Sequence, residues 1–292
     1  MGVIPVQRWG RAGRPLFQRP PAVGCGMRIW AALAYEGTRY RGFQRLAPSH
    51  EPTIQGVLEA TLQHLAGAPI RVRGAGRTDA GVHAFGQVVA FDISWRHSLE
   101  DLQRALNALL PFDMVVWALG EAPPDFHPRR EAQTRIYRYL IYNGPRRDPF
   151  GRTLAWHVPS PLDVMAMRQA AALWVGRHDF GAFGRPPRGE NTVREVRRAA
   201  VVADGEWVAF EIEADAFLYH MVRIMVAVLV AIGRGERPPE AAAAYLRRPD
   251  AYPAHAPAPP YGLYFVGARY ERISIPPPPK FLPDCLRGLQ DQ

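Results

Sequence analysis

Residues 76–89 read GRTDAGVHAFGQVV, a glycine-rich loop that carries Arg77 and Asp79 and runs into an apolar strand. Together with Gly74, the loop begins like the GxG of a dinucleotide-binding fold. Asp79 then stands where the third glycine belongs and would repel a pyrophosphate, and a strand follows where that fold needs a helix N-terminus. A P-loop is excluded too, because the segment has no lysine. The stretch therefore predicts a loop that leads into a strand and does not bind a nucleotide phosphate.

Outward from this loop, the first half of the chain alternates between strand and helix patterns. Residues 55–66 place apolar side chains on one helix face, whereas 87–93 is a short apolar run with strand character. The predicted order is strand, helix, strand, strand, helix, strand, at residues 27–35, 55–66, 70–73, 87–93, 99–110 and 114–119. This is the order of the split βαβ, or ferredoxin-like, unit.

The same order returns in the second half of the chain. In the strand at 207–214, Phe210 and Ile212 face one way and Glu211 the other. The last helix is apolar nearly all round in its second half, which predicts that it is buried. The predicted elements are a strand, a helix, two strands, a helix and a strand, at residues 135–142, 162–175, 196–202, 207–214, 217–232 and 263–269.

These patterns predict an α+β fold with two ferredoxin-like halves, residues 27–125 and 126–272. We expect the halves to join into one mixed, mainly antiparallel sheet, with the helices behind it and a basic cleft in front. Residues 1–26 are rich in Pro and Arg and residues 273–292 are rich in Pro. Neither segment has a helix or strand period, so we interpret both as tails.

The composition narrows the class of protein. The 292 residues include 36 Lys and Arg against 27 Asp and Glu, a net charge of +9 that favours an acidic partner. The two cysteines have no CxxC spacing, the nine histidines have no metal-ligand spacing, and no GxSxG motif occurs. The longest apolar run is far shorter than the roughly 20 residues of a membrane span. We expect a soluble, cytoplasmic protein without a metal site.

Asp79 is the strongest candidate for chemistry in the loop. Glycines let the backbone turn sharply and let a substrate come close. The Arg77 guanidinium, two residues away, would keep the carboxylate ionised, as a nucleophile requires. An ordinary Asp–Gly turn with a surface ion pair would use the same residue types. Composition and spacing alone leave both interpretations open.

A resemblance to a known family separates these two interpretations. The stretch GRTDAGVHAFGQVV resembles the signature loop of the tRNA pseudouridine synthase A family, in which the aspartate of GRTDAG is catalytic. Further segments resemble family motifs in the same order along the chain, over roughly residues 27–270. They are YEGTRYRGFQ at 35–44, TIQGVLE at 53–59, NALLP at 107–111, DFH at 125–127, RIYRY at 135–139, AFLYHMVR at 216–223 and GLY at 262–264.

This sequence departs from the family pattern in small ways. Glu36 and Phe43 stand where the family usually has Asp and Trp, and we expect these changes to alter only local RNA contacts. The connection at 185–191 is longer and richer in Gly and Pro than is typical.

The resemblance implies a pseudouridine synthase fold and an isomerase that needs no cofactor or metal. It implies that Asp79 is the nucleophile and that Arg223 pairs with Asp79. A charge just ahead of an apolar helical run is also costly to bury unpaired. Tyr137 would pack on the target base and take part in proton transfer. The implied substrate-binding residues are Tyr137, Arg77, Arg39, Arg41 and Gln44.

The resemblance also implies a substrate and an assembly. The substrate is the anticodon stem-loop of tRNA, with uridines at positions 38, 39 and 40, and family members are homodimers. The target base must leave the stack before a carboxylate can reach it. Whether Asp79 attacks C1′ of the ribose or C6 of the base is left open by the residues. For His83 and His220, which lie in family motifs, we expect structural, hydrogen-bonded roles.

Three alternatives remain beside this interpretation. A non-catalytic protein with tandem RNA-recognition motifs has the same topology, but Gln87 stands where the second aromatic residue of that motif belongs. A synthase with a different RNA target is compatible with every motif above. A glycosidase that acts on free nucleosides would have no use for the basic surface, and salt-insensitive activity would favour it.

Overall fold

The structure, a computed structural model, describes residues 26–45, 52–187 and 189–279. Most of the two predicted tails, 1–26 and 273–292, lies outside the described residues.

Ten strands form a single sheet in the described part of the chain. They are β1 (Met27–Tyr35), β2 (Arg73–Gly74), β3 (His83–Ile93), β4 (Met114–Glu121), β5 (Thr134–Tyr142), β6 (Trp156–His157), β7 (Gly176–Asp179), β8 (Val193–Asp204), β9 (Trp207–Ala214) and β10 (Leu263–Arg269). The main order across the sheet is β4-β1-β3-β10-β5-β9-β8-β7, with β2 beside β3 and β6 beside β5.

The strand order repeats in two halves. In the first half β4, β1, β3 and β2 lie side by side, and in the second half β10, β5, β9 and β8 do. Each half thus has the arrangement of a split βαβ unit. The halves join where β10 pairs in parallel with β3, with Tyr264 opposite His83 and Phe265 opposite Ala84. The predicted α+β fold with a mixed, mainly antiparallel sheet is confirmed.

Local signals set where the helices begin. The helices are α1 (Ile54–Ala66), α2 (Leu99–Leu109), α3 (Val164–Ala172), α4 (Met221–Gly233) and α5 (Ala241–Leu246). Thr53, Ser98 and Asp163 precede the first three, and each accepts a hydrogen bond from a backbone N–H of the first turn. Among the described residues, no side chain caps α4 in this way.

The main hydrophobic core lies between the helices and one face of the sheet. Tyr139 and Phe265, from the two central strands, are fully buried in the same cluster as Leu58 of α1 and Met225 of α4. Burial of this apolar surface is the main driving force for joining the two halves.

The opposite face of the sheet is covered by loops. Trp30 packs there against Phe126 and Ile273, and Leu140 packs with Ala155. The basic cleft predicted in front of the sheet is therefore not a broad open face of the strands. Both faces of the sheet carry apolar side chains that must be shielded from water. Any cleft therefore has to lie between the helices and loops that pack on the sheet.

Several predicted boundaries are also corrected. The strand predicted at 70–73 is reduced to the two residues of β2, Arg73 and Gly74, which pair with Ala90 and Val89 of β3. The helix predicted at 217–232 begins at Met221, because His220 adopts a left-handed conformation. The short elements β6, β7 and α5 were not predicted.

None of the helices in the described ranges has both the length and the apolar character needed to cross a membrane.

Candidate active site

The loop before β3 presents Asp79 at a tight turn. The Val82 N–H donates to the Asp79 carbonyl at 3.2 Å, and Gly81 has a φ of 78°. A positive φ at the third residue of a turn is the geometry of a type II turn, which favours glycine. The Asp79 side chain is 27% exposed, so its carboxylate is accessible from the surface while being partly screened from water.

The segment at 35–44 is a scaffold for this loop. The Phe43 N–H donates to the Thr78 carbonyl at 3.0 Å, and the Tyr35 and Thr78 hydroxyls lie 2.8 Å apart. Burial raises the pKa of Tyr35 to about 12, so the phenol remains a neutral hydrogen-bonding group. Phe43 is only 3% exposed. The expectation that Phe43 affects RNA contacts is therefore wrong, because its ring belongs to the core.

His83 has the structural role expected for it. Its Nδ1 accepts from the Gly37 N–H at 3.0 Å, so Nε2 carries the proton and faces the carbonyls of Thr153 and Tyr261, each at 2.9 Å. Burial lowers the pKa of His83, in agreement with a neutral ring. The imidazole thus connects the start of β3 to three other segments.

Arg223, in the first turn of α4, faces Asp79 across the two halves. Its Nη1 lies 3.4 Å from Asp79 Oδ2, and its Nε donates to the Ala258 carbonyl at 2.6 Å. The guanidinium is therefore aimed by a backbone group as well as by the carboxylate. Arg77, two residues from Asp79, makes no ion pair with it in the described part of the chain. The arginine that pairs with Asp79 is thus Arg223, from α4, and not Arg77, which is close to Asp79 in sequence.

His220, for which we expect a structural, hydrogen-bonded role, also reaches Asp79. Its Nε2 lies 3.4 Å from Asp79 Oδ2, the same oxygen that Arg223 faces. No sequence signal beyond the AFLYHMVR motif indicated this contact, because it depends on an unusual backbone angle.

Tyr137 lies beside this group and is 8% exposed. It packs edge-on against Phe217 and Phe265, with ring centroids 4.9 and 5.2 Å away. Burial raises the pKa of Tyr137 far above its ordinary value, with a smaller contribution from Tyr35. The phenol is therefore protonated at neutral pH and can donate a hydrogen bond but cannot act as a base.

These residues line a cavity of about 930 Å³. Because Tyr137 shares its face of the sheet with Tyr139 of the main core, the cavity opens on the helix-bearing face, and not on the face where the cleft was predicted. Among the described lining residues, Asp79 is the only carboxylate, and seven are arginines: Arg41, Arg77, Arg129, Arg135, Arg185, Arg194 and Arg223. The cavity is thus a strongly positive pocket around one nucleophilic group.

Four of these arginines were not predicted as site residues. Arg135 opens the RIYRY motif and binds three backbone carbonyls, of Ala75, Asp215 and Arg129, so it supports the floor of the loop. Arg194 is buried, and its Nε has no hydrogen-bond partner among the described residues. The only feature of the sequence that indicated additional basic residues at the site was its positive net charge.

The predicted substrate-binding residues divide into two groups. Arg41, Gln44 and Arg77 line the cavity together with Tyr137. Arg39 does not line it; its guanidinium pairs with Asp113 and lies over the Phe112 ring at 5.1 Å. In the described ranges, no group of three His, Cys, Asp or Glu side chains could hold a metal ion.

Comparisons with known proteins agree with this arrangement. A family model described as tRNA pseudouridine synthase matches residues 31–129 and 170–271. A protein of Moorella thermoacetica named tRNA pseudouridine synthase A is 45% identical over 241 residues, which is 82% of this chain and 97% of that protein. Proteins of the same name from Myxococcus xanthus and Geobacillus kaustophilus are 45% and 42% identical, over 81% and 84% of this chain and 89% and 95% of their own lengths.

Proposed function

Since the chain belongs to the tRNA pseudouridine synthase family, we propose that it isomerises uridine to pseudouridine at positions 38, 39 and 40 of the tRNA anticodon stem-loop, with Asp79 as nucleophile. The observation that carries the assignment of Asp79 is its place as the only carboxylate among the described residues of an arginine-lined cavity.

The two oxygens of the Asp79 carboxylate have different surroundings. Oδ2 faces Arg223 and His220, each at 3.4 Å. Oδ1 accepts no hydrogen bond from any described residue. One oxygen thus faces the positive charge of Arg223, and the other oxygen stays available for attack.

The reaction proposed for this site is redox-neutral. Asp79 attacks C1′ of the ribose or C6 of the base, and the N1–C1′ bond breaks. The freed uracil turns within the pocket and joins C1′ through C5. The hydrogen on C5 then leaves as a proton, N1 gains a proton, and the carboxylate is released unchanged.

The other site residues are proposed to bind and orient the nucleotide. Tyr137 packs against the flipped base, and its protonated phenol donates a hydrogen bond or a proton. Arg77, Arg41 and Gln44 contact the RNA within the cavity. Arg39 contacts it outside the cavity, from its pair with Asp113.

Recognition is proposed to depend on RNA shape and phosphates. Three neighbouring positions in varied sequences are modified more readily by an enzyme that reads the backbone than by one that reads base edges. The net charge of +9 supports this. We further propose that the enzyme is a cytoplasmic homodimer, and that residues 27–125 and 126–272 are its two half-domains.

The test is tritium release from tRNA transcripts labelled at uridine C5, with uridine at 38, 39 or 40. Forming the C5–C1′ bond expels the C5 hydrogen, so the assay reports the chemistry directly. We expect release by the wild type and none by Asp79→Asn, with tRNA affinity retained. Asp204→Asn is the matched control, because it removes the same charge on an exposed hairpin outside the cavity, and it should keep full activity.

Other outcomes would reject the proposal. Salt-dependent tRNA binding without release from the wild type would favour a non-catalytic RNA-binding protein. Tritium release only from another structured RNA would show that the enzyme has a different RNA substrate. Salt-insensitive tritium release from free uridine would indicate an enzyme that acts on nucleosides.

A further inference from the structure

His220 has an unusual backbone conformation. Its φ is 64°, and it is the one residue other than glycine with a positive φ in the described part of the chain. A left-handed conformation is unfavourable for a residue with a Cβ atom, because the Cβ comes too close to the following carbonyl oxygen. The conformation of His220 does not make its side chain a cap of α4, because the imidazole makes no hydrogen bond to the first turn of the helix. Strain of this kind is retained where surrounding contacts hold it, and it is frequent at functional sites.

The strained backbone brings the ring to the nucleophile. His220 Nε2 lies 3.4 Å from Asp79 Oδ2, and Arg223 Nη1 lies at the same distance from the same oxygen. The Tyr219 ring stacks on the imidazole, with 3.7 Å between centroids and 29° between planes. Tyr219 is itself held by its N–H, which donates to the Arg185 carbonyl at 2.8 Å. The imidazole is thus packed in place and is 21% exposed.

The charge state of the ring is set by its surroundings. Burial lowers the pKa of His220, Asp79 acts in the opposite direction, and the positive charge of Arg223 lowers it further. The ring is therefore neutral at neutral pH. A neutral imidazole has one N–H, and placing it on Nε2 lets the ring donate to a carboxylate without adding a second charge.

We propose that His220 is a positioning residue for Asp79: it donates from Nε2 to Oδ2 and, together with Arg223, turns Oδ1 toward the substrate. The proposal rests on the proposed role of Asp79 as nucleophile. Arg223 alone would leave the carboxylate free to rotate about one contact. A second donor on the same oxygen fixes the orientation, and the contact is expected to shorten when the substrate closes the site.

The test compares three substitutions that separate the side-chain contact from the backbone strain. His220→Gln keeps an N–H donor of similar reach. His220→Asn tolerates the left-handed conformation best but is too short to reach Oδ2. His220→Ala has no donor. The measurement is the single-turnover rate of tritium release with enzyme in saturating excess over tRNA, together with tRNA affinity from filter binding.

We expect the Gln variant to stay within about threefold of the wild-type rate, and the Asn and Ala variants to fall by about tenfold to hundredfold. The tRNA affinity of all three should change by less than about threefold, because the lost interaction acts on the nucleophile and not on binding. His64→Asn, on the exposed end of α1 and outside the cavity, is the matched control and should have the wild-type rate.

A purely structural role makes the opposite prediction. Thermal unfolding should then rank Asn as the most stable variant, and the rates should follow stability, with Asn fastest. That order, or wild-type rates in all three variants, would overturn the proposal. If the wild type itself releases no tritium, the proposed function fails first, so the two failures are distinguishable.

Discussion

At the scale of single residues, His83 and His220 show how the environment of an imidazole sets its role. His83 has both nitrogens bound to backbone groups, whereas His220 has one nitrogen beside a carboxylate. Burial lowers the pKa of both rings. The neutral form is needed in each case: as an acceptor for the Gly37 N–H in His83, and as an uncharged donor in His220.

The ionisation of His83 predicts a pH dependence of stability. Its pKa in the folded state lies below the ordinary value of 6.5, so the unfolded chain binds the proton first as the pH falls. The contribution of neutral His83 to the free energy of unfolding is therefore complete above pH 6.5. Below pH 6.5 the free energy of unfolding falls, by up to about 1.4 kcal/mol per pH unit. Urea unfolding at pH 7.5 and 5.5 should show this loss.

The variant His83→Asn isolates the contribution of that ring, since His127 and His220 also have lowered pKa values and titrate with the same sign. An asparagine can accept from the Gly37 N–H but has no proton to take up. We expect the variant to be less stable at pH 7.5 and to lose less on acidification. An equal loss in both proteins would contradict the assignment.

At the scale of structural elements, the active-site loop depends on a second loop packed against it. Gly42 has a φ of 86°, and a Cβ atom there would lie 2.6 Å from the Thr78 carbonyl oxygen, one residue before Asp79. The two loops therefore approach as closely as backbones can. The motif at 35–44 acts largely from inside the fold, through such contacts, and less through exposed side chains.

Gly42→Ala should displace the Asp79 loop. We expect tritium release to fall by about tenfold or more, and thermal stability to drop by more than the roughly 1–2 kcal/mol that a left-handed alanine costs. Gly67→Ala is the control, because Gly67 has a φ of 69° at the end of α1 but nothing within 4 Å of the added atom. Gly67→Ala should lose stability but keep the wild-type rate of tritium release. Equal activity of the two variants would argue against the loop contact.

At the scale of the whole molecule, positive charge gathers at the boundary between the halves. The seven cavity arginines come from the connection after β1, the Asp79 loop, the segments around β5 and β8, and α4, so no single element forms the basic surface. The described residues do not pair Arg77 with any acid. An exposed, unpaired guanidinium in this position is suited to an RNA phosphate.

Binding of tRNA should therefore weaken steeply with salt. Arg77→Gln should lower the affinity and reduce the slope of log K against log salt by about one unit. Arg104→Gln removes another exposed arginine, which pairs with Asp101 on α2 away from the cavity, and it should leave the slope unchanged. If the slope of log K against log salt is the same in both variants, Arg77 does not contact a phosphate and other residues make the phosphate contacts.

The sequence by itself determined the order of the principal elements and identified the glycine-rich loop that carries Asp79. Hydrophobic periodicity and helix caps are local properties, so β1, α1 and α2 could be predicted nearly to the residue. The short elements β7 and α5 could not, because a strand of four mostly polar residues and a helix of six have no period of their own. They form only where the rest of the fold offers a partner.

Only the tertiary structure decided which face the cavity occupies and which groups surround Asp79. Arg77 is two residues from Asp79, yet the cation at the Asp79 carboxylate is Arg223, 144 positions away. His220 reaches the same oxygen through one strained backbone angle. Residue patterns encode which face of an element is apolar, but the distances between side chains on different elements follow from how both halves of the sheet pack together.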